Sequence, residues 1–182
     1  MITDSQLAFV PIGGNLSLIA AAGVAIPSPN VIDLLGQGVG TAPSNIIGNA
    51  STFGADVGIG AITPFIEAVI GTACTTGNAA TLNVAFQEAP DSGAGGGYQP
   101  GTWTTIEETG PIAVARLTAG QIVARFVFSP AFPASLAPRF LRLLFQVASS
   151  TNFTAGTISS AIVTMSRDDN AQKFATKNFI VA

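Results

Sequence analysis

Pro138-Arg-Phe-Leu-Arg-Leu-Leu-Phe-Gln-Val-Ala-Ser-Ser-Thr-Asn-Phe-Thr-Ala-Gly156 sets the pattern from which the rest of the chain can be understood. From Phe140 to Ala148 the side chains alternate, with Leu141, Leu143, Phe145 and Val147 on one face and Phe140, Arg142, Leu144, Gln146 and Ala148 on the other. Successive side chains of a strand point to opposite faces, so this is a strand with one dry face and one mixed face. Mostly polar and small residues follow, and from Thr157 to Met165 the chain resumes a run rich in Ile, Val and Thr. A hairpin with a long loop accounts for the pair. The strand carries no carboxylate, histidine or thiol, which makes it scaffold or surface and not bond-breaking chemistry.

Outward from this hairpin the same signature recurs. Thr81 to Glu88 is the cleanest alternation, with Leu82, Val84 and Phe86 facing in and Thr81, Asn83, Ala85 and Gln87 facing out. Phe65 to Gly71, Gly101 to Ile106, Ile112 to Arg116 and Gln121 to Phe128 read as further strands, the last with Ile122, Ala124, Phe126 and Phe128 on one face and Arg125 on the other. Leu16 to Ile26 reads as one buried strand, and Phe174 to Val181 as a final strand after a turn at Arg167-Asp-Asp-Asn170. Between these lie Pro27-Ser-Pro-Asn30, the glycine-rich Gly36 to Pro43, an irregular Ile46 to Gly60, and an exposed loop from Pro90 to Pro100. No amphipathic helix of about 10 residues stands out. The expectation is an all-β, jelly-roll-like two-sheet sandwich with a long irregular N-terminal segment and loops. Residues 1–182 form one domain, in which 1–62 are partly an extended arm.

Only 9% of the residues are charged while 48% are hydrophobic, so Ser, Thr, Asn, Gln and Gly must carry much of the surface. The 20 Gly and 11 Pro stay well below the share of about 25–30% that marks low-complexity disorder. A net charge of −3 with scattered basic residues argues against nucleic acid as a partner. The N-terminal residues lack the pattern of a secretory signal, and the most apolar window, Leu18 to Ile26, is far short of the roughly 20 residues that span a membrane. Cys74 stands alone and reads as a small buried hydrophobe.

The chain contains no histidine, which removes the usual base of serine and cysteine nucleophiles and, with a single cysteine, the common zinc sites. No cofactor or metal is expected. A paired-carboxylate glycosidase would need two acids across a cleft, but Glu107 and Glu108 point to opposite faces of a strand. Tyr98 and Trp103 flank a glycine-rich loop and form the one candidate platform for a sugar. Arg139 and Arg142 flank a very apolar strand and face opposite ways. A buried arginine needs a carboxylate, for which Glu107 and Glu108 are candidates.

Four segments in order carry a family resemblance: Asp33-Leu-Leu-Gly-Gln-Gly-Val-Gly-Thr-Ala-Pro43, Thr81-Leu-Asn-Val-Ala-Phe-Gln87, Glu107-Glu-Thr109, and Pro138 to Val147 with Phe153-Thr-Ala-Gly156. Together they resemble the capsid cement proteins of tailed phages related to the Bordetella phage cement protein, over most of the chain. The resemblance implies a jelly-roll structural protein, not an enzyme, on the outer capsid surface of the virion, made in the host cytoplasm. Its partners would be the major capsid protein and itself, a homodimer being preferred to a trimer. No membrane is involved.

Contacts with the shell or a second copy are expected from the N-terminal arm and the Asp33 to Pro43 loop, at Ile2, Leu7, Phe9, Asp33, Leu34, Leu35, Gln37 and Val39, and from Arg139 and Arg142. Irregular segments without a core pattern must bury their apolar groups against something. The rival reading is a virion-displayed jelly-roll carbohydrate-binding module using Tyr98 and Trp103.

Overall fold

The computed structural model describes residues 7–35, 42–47, 64–76, 79–127, 139–147 and 151–165. Twelve strands are present among them: β1 (Ala8–Val10), β2 (Leu16–Ser17), β3 (Ala25–Pro27), β4 (Val31–Asp33), β5 (Ile46–Ile47), β6 (Pro64–Ile70), β7 (Thr81–Ala89), β8 (Thr104–Glu108), β9 (Ile112–Ala113), β10 (Ile122–Val127), β11 (Phe140–Val147) and β12 (Thr157–Met165). One sheet runs β1-β12-β6-β10, with β2 also on β12; the other runs β5-β4-β11-β7-β8, with β3 on β11 and β9 on β7. Without the short β2, β3, β5 and β9, eight strands remain. The first, eighth, third and sixth make one sheet, and the second, seventh, fourth and fifth make the other. That order is the double Greek key of a jelly roll, the two-sheet sandwich expected from the sequence.

β11 lies inside its sheet, antiparallel to β7 from Phe140↔Ala89 to Val147↔Leu82, with β3 and β4 on its other side. Its dry face is dry: Leu141, Leu143, Phe145 and Val147 are all buried in the main core. There Phe86 of β7 stacks on Phe126 of β10, with centroids 6.2 Å apart, and meets Phe9 of β1 edge-on. One aromatic from the first sheet's edge, one from its far strand and one from the opposing sheet thus close the sandwich. The mixed face of β11 is drier than its pattern suggests. Phe140 and Leu144 are buried there, Phe140 in a second cluster with Val31, Ala42, Ile46, Ala89 and Tyr98.

Several expectations need correction. Ile112 to Arg116 is a strand only over Ile112–Ala113 and becomes a 3-10 turn from Val114 to Arg116, and the strand expected from Gly101 to Ile106 runs from Thr104 to Glu108. Leu16 to Ile26 is not one strand: β2 pairs with β12 in one sheet and β3 with β11 in the other. Between them a turn closes with Val24 N donating to Ala21 O, Gly23 taking φ +78°. Small and apolar residues at every position carry no period, so the same run serves equally as a crossover, and it leaves Ile19 and Val24 exposed. In β10 the register shifts between Ile122 and Ala124. This bulge turns Val123 inward and Ile122 outward, which a count by twos cannot foresee. The Pro90 to Pro100 segment is an ordered double turn, with Ser92 N donating to Gln99 O, Gly101 N to Pro90 O, and Tyr98 buried. The segment is mostly exposed, as expected, with Tyr98 the buried exception, and Gly93, Gly96 and Gly97 take positive φ in its turns. The expected final strand at Phe174 to Val181 and the turn before it lie outside the described residues. No helix among the described residues is long and apolar enough to cross a membrane.

Candidate functional site

Two ends of the sandwich differ in chemistry. At the end where β7 finishes and β11 starts, Arg139 is held as a clamp. Its Nε donates to Asp33 Oδ1 at 2.9 Å and its Nη2 to Asp33 Oδ2 at 2.8 Å, while Nη1 donates to Asp91 Oδ2. The fork of the guanidinium matches the carboxylate plane, the strongest geometry such a pair has. Backbone bonds fix the pair from both sides, Leu34 N to Arg139 O and Arg139 N to Ala89 O. The guanidinium lies 4.8 Å from the Phe140 ring centroid and 5.7 Å from that of Tyr98. The hydrogen bond to Asp33 is the main cause that raises the Arg139 pKa further, so the charge persists wherever the fold does.

The sequence named the wrong partners for this arginine. Glu107 and Glu108 sit on β8, whose five residues are all exposed, and Glu108 accepts from Asn83 Nδ2 at 2.9 Å. Nor do the two arginines face opposite ways. Arg142 Nε donates to Gln87 Oε1 at 2.8 Å and its guanidinium lies 4.1 Å over Trp103, which packs against the same Phe140 and Tyr98 cluster. Gln87 passes the network to Thr105 Oγ1. Burial lowers the Arg142 pKa from its ordinary value. Of the two aromatic residues considered for a sugar, Tyr98 is buried, and half-exposed Trp103 has the Arg142 guanidinium against its ring.

The contact residues sort as follows. Leu7 and Phe9 are buried in the main core and Leu34 packs against it, so their need for cover is met within the chain. Asp33 and Arg139 are buried against each other. Leu35 stays 49% exposed. Ile2, Gln37 and Val39 lie outside the described residues. Among the described residues no three of His, Cys, Asp and Glu come together as metal ligands.

The opposite end has almost no charge. Loops from both sheets meet there, joined by Leu18 N to Gly156 O, Cys74 N to Leu117 O, Thr75 N to Ala155 O and Gly120 N to Ile70 O. A threonine pair, Thr75 and Thr154, bonds hydroxyl to hydroxyl at 2.8 Å. In the stretches 11–24, 71–80, 114–121 and 148–156 the one charged residue is Arg116. Ile12, Ile19, Val24 and Ile122 are exposed on this half of the molecule. Reading for strands overlooked this end; the signal was the lack of any charged residue from 5 to 32.

The model of the Bbp16 family, a family of Bordetella phage protein, matches residues 21–162. The chain belongs to the Bbp16 family. The match begins in the crossover before β3 and ends within β12, so it includes the clamp, Arg142 and the neutral-end stretches 71–80, 114–121 and 148–156, but only the last residues of 11–24. Bbp16 membership makes this a phage virion-associated protein. No curated protein matches the chain.

Proposed function

We propose that this Bbp16 protein is a capsid cement, or decoration, protein: it binds the outer surface of the major capsid protein shell and holds capsomers together. The observation that carries the reading is the family match laid over a jelly roll whose strongest polar network is spent inside the chain. A clip that bridges two subunits opposes their separation under internal pressure only if the clip itself does not yield. The Arg139, Asp33 and Asp91 clamp ties β4, β11 and the turn after β7 into one unit. Each contact with the shell can be of ordinary size, about 1,200–2,000 Å², because repetition over a lattice and two-point attachment multiply it. The protein acts as a structural element without catalysis, and it self-associates, a homodimer fitting a two-fold position between capsomers.

Co-sedimentation of the purified protein with DNA-free shells lacking it tests this. Saturation at a small fixed ratio of bound copies to capsid subunits is the expected result. Failure to bind, or binding that free sugar removes, would overturn it.

A further inference from the structure

We infer that the cleft around Arg116 receives an acidic side chain flanked by aliphatic residues, presented by an extended segment of the major capsid protein. The identity of the partner rests on the cement reading above; the chemistry of the site does not.

The cleft, of about 210 Å³, is lined by Thr109, Ile112, Arg116, Gln121, Ile122 and Val123. It opens where β9, at the edge of one sheet, gives way to β10, at the edge of the other. A short 3-10 turn, Val114–Arg116, carries the chain between them. Leu117 is fully buried, its N donates to Val114 O and its O accepts from Cys74 N. The backbone beside Arg116 is therefore fixed, while its exposed side chain meets no partner among the described residues. Val123 is buried, Ile112 packs against the core, and Ile122, turned out by the β10 bulge, stays 45% exposed. The lining combines the apolar Ile112, Ile122 and Val123 with the polar Thr109, Arg116 and Gln121.

Four arginines fall among the described residues, and three of them are engaged by the chain itself. Arg125 pairs with Glu67 and lies over Phe65, Arg139 is clamped by Asp33 and Asp91, and Arg142 is bound to Gln87 over Trp103. Arg116 has no hydrogen bond or ion pair among the described residues, although Glu107 and Glu108 are only a few positions away in sequence. The neutral loops around it supply no carboxylate. An arginine set alone beside an apolar wall offers a charged fork to an incoming carboxylate and a greasy surface to its neighbours. A single cation is a poor site for nucleic acid, which is bound by clustered charge. Closing a partner over the cleft would remove water from the pair and strengthen it, and would reject partners lacking the carboxylate.

The test compares wild type, Arg116→Glu and Arg116→Lys by shell co-sedimentation, and separately by methyl NMR during titration with sodium isovalerate, a branched carboxylate. Arg116→Glu should weaken shell binding at least tenfold with an unchanged melting temperature, and Arg116→Lys less, since it keeps the charge and loses the fork. Isovalerate should shift the methyl signals of Ile112, Ile122 and Val123 in wild type and not in Arg116→Glu. Shell binding of Arg116→Glu within twofold of wild type would overturn the inference. So would methyl shifts that are absent or identical in both proteins. If wild type ignores shells yet isovalerate shifts the methyls, the carboxylate site stands and the cement reading falls.

Discussion

Arg139 and Arg116 sit toward opposite ends of β7 and have opposite fates. Arg139, beside Ala89, is buried, doubly paired with Asp33 and held over two aromatic rings. Arg116, three residues past the Ala113 that pairs with Thr81, is exposed and unpaired among the described residues. The same side chain is a rivet at one end and an open hook at the other. The difference lies in what the chain supplies nearby. The clamp end brings two aspartates from separate strand ends, whereas the loops of the other end bring hydroxyls, amides and alkyl groups only.

The sharpest way to break this contrast is Asp33→Asn. Removing one charge of a buried pair costs about 3–5 kcal/mol, toward the lower end here because Asp91 still pairs with Arg139. For a chain of this size the melting temperature should fall by on the order of 10 °C, read by calorimetry. A loss of under about 1 kcal/mol would mean that the clamp is not what makes that end rigid. Gly156→Ala comes next and attacks the neutral end. A methyl there would meet Cys74 Sγ at 2.5 Å, and Gly156 has φ +143°, which other residues rarely adopt. The expected cost is about 1–3 kcal/mol by chemical denaturation. An unchanged midpoint would show that the loops at this end are loosely joined.

A smaller effect should appear in alkali. Burial pushes the Cys74 thiol up from 9.0 to about 11. Because the folded value is the higher one, this group's contribution to stability is intact below about pH 9 and is lost as pH rises toward 11. Melting temperatures measured from pH 8 to 11 should therefore fall more steeply in wild type than in Cys74→Ala. Parallel curves would place the thiol in water. Smallest of all is Arg116→Gln, at a side chain with no partner among the described residues, which should leave stability within about 0.5 kcal/mol. A larger loss would make Arg116 a second rivet and erase the comparison.

The inward faces were legible where residues alternate: Leu82, Val84 and Phe86 of β7 and the inward face of β11 follow the period of two, while β12 was marked by its run of Ile, Val and Thr. Burial of the other face was not legible, since Ala85 and Gln87 of β7 and Leu144 of β11 are buried there as well. Leu16 to Ile26 misled because its residues are small or apolar at every position, so no period distinguished a strand from a crossover. The clamp was half legible: Arg139 asked for a carboxylate, but Asp33 is 106 residues away, and only the Greek-key topology brings β4 beside β11. Glu107 and Glu108 were the nearer guess in composition and the wrong one in space. Tyr98 looked exposed because glycines surround it, although those glycines are what let the turn fold back and bury it. Arg116 carried no motif at all. Its isolation becomes visible only when the loops of both sheets are seen together.

The central claim is that the protein reinforces a shell, and the most direct measurement is the temperature at which DNA-free capsid shells lose capsomers, with and without saturating protein. That temperature should rise with occupancy and reach its limit when the sites are full. Shells that bind the protein to saturation yet come apart at an unchanged temperature would contradict it.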